Sequence, residues 1–414
     1  MVRAIVMGPA CPMLDSDGGR VAMVTRAEPA LLPPRAAKEP DVKAMVFPER
    51  VCEVAVPLGA RGLRVGAQAL PAPPAEIRRI VLMGDTGCRM KQSEDAFQDC
   101  AESAAWPFAA IAAQAAAKRP DLVLHLGDLH YRESPCPVGK PGCAGSPWGY
   151  GHDTWAADFF EPAAPLLRAA PWLVIRGNHE SCGRAGVGWF RYLDARTASA
   201  PFSCIDPRDD AQADFTPPYA LKLTPDTQLI VFDSSAVSGK PYARNDPALL
   251  RYVAQLADVA EMAKNRPHNF FANHHPVLGF GPSPSGQPKP GIAGLLQAMQ
   301  ATQPARLLPP GVDVVLNGHA HLFEALDFVG DYPAQLVLGN SGSAQEGTVD
   351  AARALQAQPA PGAKVRSFAT QPGFGFGTLD REGSRWRLSE WDVAGALLRV
   401  CDIDGRRLNC GPAL

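Results

Sequence analysis

Apolar and polar positions along the chain fall into a repeated unit. Ile80-Val81-Leu82-Met83 is a continuous apolar run that breaks into Gly84-Asp85-Thr86-Gly87. Leu122-Val123-Leu124-His125-Leu126 breaks into Gly127-Asp128-Leu129-His130-Tyr131. Trp172-Leu173-Val174-Ile175 runs into Gly177-Asn178-His179-Glu180, and Asn269-Phe270-Phe271-Ala272 into Asn273-His274-His275-Pro276. Val312-Asp313-Val314-Val315-Leu316 runs into Gly318-His319-Ala320-His321. Short apolar runs bounded by such turns predict buried strands. In an open α/β sheet, ligands collect at the carboxyl ends of the strands. An aspartate in a single Gly-Asp turn has a plainer use, accepting backbone N–H bonds in the loop. Five strand ends that all carry potential metal ligands point instead to one shared site.

The intervening segments predict the rest of a β/α pattern from residue 77 onward. Trp106-Pro107 opens an alanine-rich stretch to Lys118, and proline suits a first helical turn. Asp153 is placed to cap a helix running to about Arg168, and Pro247 to Lys264 predicts another helix. Leu229–Phe232, Gln335–Leu338, Phe374–Leu379 and Trp386–Trp391 predict further strands, and Asp404-Gly405 a hairpin turn. Residues 132–152, 181–218 and 279–291 read as loops that wall a pocket. Residues 1–75 differ. Strand-like runs at Val21–Thr25, Val51–Val56 and Leu63–Val65 are separated by proline-rich connections, without helical periodicity. They predict a small β domain, joined through a stiff Pro71-Ala72-Pro73-Pro74 linker to a catalytic domain over 76–414. The N-terminal stretch has no histidine and is assigned no chemistry, only a structural or substrate-flanking role.

Composition narrows the function classes. The 414 residues carry 40 Lys+Arg against 42 Asp+Glu, with no polybasic run, so nucleic acid is not an expected partner. No apolar stretch reaches the length of a membrane span. The 10 cysteines form no CxxC. Closeness along the chain pairs Cys88 with Cys100, Cys136 with Cys143, Cys182 with Cys204 and Cys401 with Cys410, leaving Cys11 for Cys52. Five disulfides imply an oxidising compartment, periplasmic or secreted. The apolar run after Met1-Val2-Arg3 ends near Pro9, too early for a signal peptide, so an exported protein is expected to have lost its presequence.

Two neighbouring metal ions need a carboxylate that bridges them, here expected through both oxygens. They also need further ligands on each ion and open positions for water and substrate. Asp85 and Asp128 offer hard oxygens; His274, His319 and His321 offer imidazoles. Asn178 offers a neutral oxygen, which leaves its ion a stronger Lewis acid than another carboxylate would. In a Gly-His-x-His turn the two imidazoles can serve different ions.

Taken in order, Gly-Asp-Thr-Gly, Gly-Asp-x-x-Tyr, Gly-Asn-His-Glu, the histidine before His275-Pro276, and Gly-His-Ala-His resemble the signature of the calcineurin-like metallophosphoesterases over about residues 77 to 345. The Gly-Asp-x-x-Tyr form resembles the purple acid phosphatase branch. That resemblance implies an α/β fold of two packed mixed β-sheets flanked by helices, here preceded by the small β domain. It implies one ion on Asp85, Asp128, Tyr131 and His321, and a second on Asp128, Asn178, His274 and His319. His179 would touch the phosphate or leaving group rather than a metal. The ions would be Fe(III) plus Fe(II), Zn(II) or Mn(II), with Tyr131 as a phenolate on the ferric ion. A tyrosine merely packed beside the site is the other reading of Tyr131.

The expected reaction is hydrolysis of a phosphomonoester, as in an acid phosphatase, by a metal-activated hydroxide that persists at mildly acidic pH. His130 and His275 lie beside ligands; each either donates a proton to the leaving group or is a buried, hydrogen-bonded neighbour. His125 reads as core, and His152 and His268 carry little functional weight. Cys88, directly after Gly-Asp-Thr-Gly, would stiffen the first metal loop through its disulfide. Two other functions fit less of the pattern: a phosphodiesterase or nucleotidase with a di-zinc or di-manganese centre, and a metal-stabilised binding module without activity. The substrate is expected to be a small phosphorylated molecule.

Overall fold

Two seven-stranded mixed sheets pack face to face in the computed structural model, which describes residues 1–35, 39–57, 59–72, 74–200 and 202–414. The first sheet runs in the order Trp172–Val174, Leu122–His125, Arg79–Met83, Gly375–Glu382, Arg385–Asp392, Leu397–Asp404, Arg407–Cys410. Its first three strands are parallel and the remainder antiparallel. The second runs Tyr219–Lys222, Thr227–Val231, His268–Ala272, Val312–Asn317, Ala334–Leu338, Phe323–Phe328, Val365–Gln371. Thr227–Val231 through Ala334–Leu338 form its parallel centre. The chain's five metal-type turns therefore all leave the carboxyl ends of parallel strands.

Strand alternation builds three apolar layers. Ile80, Leu82, Leu122 and Leu124 of one sheet meet Phe270, Val314, Leu316 and Leu336 of the other in the space between them. On the outside of the first sheet, Val81, Met83 and Val123 pack under the helices Phe108–Ala117 and Ala164–Ala169. On the outside of the second, Ile230, Phe271, Val315 and Val337 pack under Pro247–Met262 and Ala293–Thr302. Burial on both faces explains why these strands read as unbroken apolar runs.

Some local expectations are revised. The helix expected from Asp153 starts at His152 behind Gly151, and Asp153 Oδ1 instead accepts the N–H of Thr154 at 3.0 Å. It then passes through a π-helical turn at Ala156–Phe160 before resuming at Ala164–Ala169. The 181–218 loop carries a buried helix, Gly186–Tyr192. The expected Val21–Thr25 strand divides into Gly19–Ala22 and Val24–Ala27 in different sheets, because Met23 turns into the small N-terminal core with Leu14, Cys52 and Leu63. Pro73, within the expected linker, lies outside the described residues.

The N-terminal β region is fastened to the larger unit. Met45, Phe47 and Val51 enter the apolar cluster of Trp155, Trp189 and Tyr192. Glu49 accepts from Arg191 at 3.0 Å and from Tyr192 at 2.5 Å, and Glu39 accepts from Ser134 at 2.7 Å. All ten cysteines pair as their spacing predicts, Cys11–Cys52, Cys88–Cys100, Cys136–Cys143, Cys182–Cys204 and Cys401–Cys410. Among the described residues, no helix is long and apolar enough to cross a membrane.

Candidate metal centre

The carboxyl ends of the two parallel strand sets converge between the sheets. Asp85 and Asp128 are buried there, each in the left-handed region, with φ of 55° and 57°; His319 joins them at 69°. Such strain at a non-glycine residue costs about 1–3 kcal/mol and persists where surrounding bonds over-determine it. Those bonds are present. Asp85 N donates to Gly127 O and Thr86 N to Asp128 O, both at 3.0 Å, lacing the first two turns together. Gly177 must be glycine for a related reason: a Cβ there would meet Asp128 Oδ1 at 2.1 Å.

Each carboxylate has one oxygen tied to backbone and one facing inward. Asp85 Oδ2 accepts His319 N at 2.8 Å, and Asp128 Oδ1 accepts His179 N at 2.8 Å. Inward, the Tyr131 hydroxyl lies 2.9 Å from Asp85 Oδ1, 3.1 Å from Asp128 Oδ2 and 2.8 Å from His321 Nε2. His274 Nε2 lies 3.0 Å from the same Asp128 Oδ2. Asp128 Oδ2 therefore faces both donor groups, while Oδ1 accepts the His179 N–H. Asn178 Oδ1 and His319 Nδ1 meet 3.0 Å apart on a half-buried side of the cluster.

The imidazoles are oriented from behind. His274 Nδ1 donates to Leu126 O at 2.8 Å and His321 Nδ1 to Ala344 O at 2.7 Å, so both present Nε2 inward. His275 is different. Ser234 Oγ takes N–H groups from His275 and Asn273 and lies 3.0 Å from His275 Nδ1, so its own proton points at that nitrogen. That leaves His275 with Nε2–H as a neutral donor, its ring 4.4 Å from that of His319.

The electrostatics describe a pocket short of positive charge. Burial, with Asp128 and Asp85 beside it, pushes the Tyr131 phenol well above its ordinary range. Burial raises Asp85, whereas His274 and His179 hold Asp128 well below the usual carboxylate range against the cost of burial. Against the same cost, Asp128 lifts His274 to about 9. Burial and the charge of His274 lower His319 to about 3. His274 Nε2 is completely buried and lies 3.0 Å from Asp128 Oδ2 without hydrogen-bond geometry. Oxygen and imidazole donors at these separations, converging between the sheets, fit hard to intermediate cations.

The remaining expected residues are placed as follows. His179 stacks on Tyr131 with ring centroids 3.9 Å apart and keeps Nε2 3.9 Å from Asp128 Oδ2. His130 is not brought to the cluster: its Nε2 pairs with Thr154 Oγ1 at 3.0 Å and its ring lies among Tyr150 and Trp155. His125 is core but not idle. Its Nδ1 accepts Gly127 N at 3.2 Å, and its Nε2 pairs with Thr86 Oγ1 at 2.9 Å. Burial holds it near pKa 3, hence neutral.

Several supporting residues escaped the sequence reading. Glu180 accepts the N–H groups of Asp128, Leu129, His130 and Gly177 at 2.8 to 3.1 Å, while burial and the Asp128 charge push its carboxyl up to about 7. Asp158, in the π-helical turn, accepts Cys88 N, Tyr131 N, Arg132 N and Arg132 Nε. Glu133 and Arg184 enclose His179. Only the π-helical turn carries a structural hint, since such turns gather at functional sites, and no sequence signal marks it.

A family model described as calcineurin-like phosphoesterase matches residues 78–323, which span every one of these turns. The chain belongs to the calcineurin-like phosphoesterase family. Membership makes this phosphoesterase a metal-dependent hydrolase of phosphoesters. Its fold is similar to that of the purple acid phosphatase PPD1 from yellow lupin (Lupinus luteus) seeds, with TM-score 0.51, 14% identity, and coverage of 94% of this chain and 68% of that one. A weaker likeness, TM-score 0.44 at 10% identity over 80% of this chain and 89% of the other, is to GAP50, the anchor in the inner membrane complex of Plasmodium. No curated protein sequence matches the phosphoesterase significantly.

Proposed function

We propose that the phosphoesterase hydrolyses phosphomonoesters of small molecules as an acid phosphatase of the purple type, with Fe(III) and one of Fe(II), Zn(II) or Mn(II). The observation that carries this reading is the fully buried Tyr131 hydroxyl, within 3.1 Å of Asp85, Asp128 and His321 together. A phenol so placed suits a hard trivalent ion. Asp85, Asp128, Tyr131 and His321 would hold the ferric ion; Asp128, Asn178, His274 and His319 would hold the second. Bound there, the ions supply charge against a phosphate and ionise water at mildly acidic pH.

The chain's own groups do the rest. Backbone bonds to Leu126 and Ala344 aim His274 and His321. His275 offers its Nε2–H to a phosphate or leaving-group oxygen, and His179 contacts the same group from the Tyr131 side. His130, bonded away from the cluster, takes no part in this mechanism. We divide the chain into a β domain over 1–75 and a catalytic domain over 76–414. We place the protein in the periplasm or outside the cell, a reading supported by its five disulfides.

Metal analysis, a visible spectrum and side-by-side assays of nitrophenyl mono- and bis-esters test the proposal. Iron with a second metal, a visible band and faster monoester hydrolysis at mildly acidic pH are expected. A colourless zinc or manganese protein that prefers diesters above neutrality would point instead to the phosphodiesterase. Full metal loading without hydrolysis of any ester would remove enzymatic function.

A further inference from the structure

Arg184 stands at the metal cluster but belongs to none of the family's turns. It follows the Gly-Asn-His-Glu turn by four residues, and its guanidinium is bound on one side only. Nε donates to Glu133 Oε2 at 3.1 Å and Nη2 to Glu133 Oε1. Nη2 also lies 2.6 Å from His179 Nδ1 and 2.8 Å from His179 Nε2, while His179 Nδ1 lies 2.6 Å from Glu133 Oε1. The consistent assignment is His179 Nδ1–H donating to Glu133, with Arg184 Nη2 beside the same ring edge and His179 Nε2 left facing Asp128. Tyr150 donates to Glu133 Oε2 at 3.0 Å, so one buried carboxylate fixes the guanidinium, the imidazole and the phenol together.

The remaining guanidinium nitrogen, Nη1, has no partner among the described residues, and the Arg184 side chain keeps 14% of its surface exposed where Glu133 keeps 2%. A charged, pre-oriented donor with a free N–H therefore stands one imidazole ring from Asp128. Guanidinium groups held in this way match phosphate oxygens. We propose that Arg184 is a substrate-binding residue that grips a non-bridging oxygen of the phosphate and favours doubly charged terminal phosphates over singly charged diesters. Glu133 is its positioning residue. The inference rests on the proposed phosphatase reading.

The test uses the metal-loaded full chain and Arg184→Ala and Arg184→Lys. It measures orthophosphate binding by calorimetry, KM and kcat for nitrophenyl phosphate and for a nitrophenyl diester, metal content and thermal melting. For Arg184→Ala, orthophosphate Kd and monoester KM should rise at least about tenfold, as expected for loss of a charge-assisted hydrogen bond. Diester KM should change less and metal content should stay as in the parent, while the melting temperature falls because buried Glu133 loses its ion-pair partner. Arg184→Lys should recover part of the phosphate affinity. An Arg184→Ala protein that keeps metals and parental phosphate affinity overturns the assignment, as does equal loss for mono- and diester. Loss of metals with recovery by neither variant would make Arg184 structural and also overturn it. A parent protein that binds no phosphate would sink the phosphatase reading itself, an outcome separable from these.

Discussion

Asp158→Asn is the sharpest probe of how the site is built. Asp158 is fully buried and receives two donors on each oxygen: Cys88 N at 3.0 Å and Arg132 Nε at 2.6 Å on Oδ1, Tyr131 N at 2.8 Å and Arg132 N at 3.2 Å on Oδ2. Asparagine keeps one oxygen, so whichever way the amide turns, its NH2 faces two donors. One orientation also strands the Arg132 guanidinium, which is nearly buried itself. Removing one partner of a buried ion pair costs about 3–5 kcal/mol, and an unsatisfied buried donor about 1–3 kcal/mol. The amide retains half of the bonds, which places the expected loss at about 3 kcal/mol. Urea unfolding followed by tryptophan fluorescence, disulfides intact, reads this directly. Because Asp158 holds the backbone of Tyr131, the metal-loaded variant should also show a displaced visible band. A variant within about 1 kcal/mol of the parent, with an unmoved band, would refute the claim that this carboxylate fixes Tyr131.

Other perturbations read other parts of the molecule. Tyr131→Phe removes a hydroxyl within 3.1 Å of three site groups and should abolish the visible band in absorbance of the iron-loaded protein; a surviving band would take Tyr131 out of the coordination shell. Burial pushes the Glu324 carboxyl from 4.5 up to about 8, so the ionised form is the costly one, and stability on the order of 5 kcal/mol is lost as pH rises from 4.5 through 8. Glu324→Gln should accordingly match the parent in melting temperature at pH 5 and exceed it at pH 9; a constant difference would refute the linkage. Chelating the metals at pH 8 should let Tyr131, pushed well above its ordinary range, and His274, lifted to about 9, each take up a proton, so uptake corrected for the chelator's own proton release should be smaller in His274→Gln than in the parent. Equal uptake by the two proteins would argue that His274 is no ligand.

How much of this was legible in the sequence follows from which interactions are local. A parallel strand buried on both faces writes itself as an apolar run, and the turn at its end writes its candidate ligand directly after it. Asp85, Asp128, Asn178, His274, His319 and His321 are therefore found by reading one strand at a time. The disulfides are legible for the same reason, since four of five close spans of 7 to 22 residues. What holds these candidate ligands in place is not local. Asp158 reaches back 70 residues to Cys88, Glu133 reaches 51 residues to Arg184, and Ser234 reaches 41 residues to His275. Each is an ordinary polar residue, and nothing in its own sequence neighbourhood distinguishes it from a solvated side chain. The same limit governs His130 and His275. Both follow the same local logic, a histidine beside a strand-end turn. One faces Thr154 and the other Ser234, and only packing across the sheet decides which of them lies beside the cluster. The identity of a ligand in this fold is thus set along the chain, whereas its aim is set across it. Substitutions among the supporting residues should accordingly disturb geometry, spectrum and affinity even where every ligand is retained.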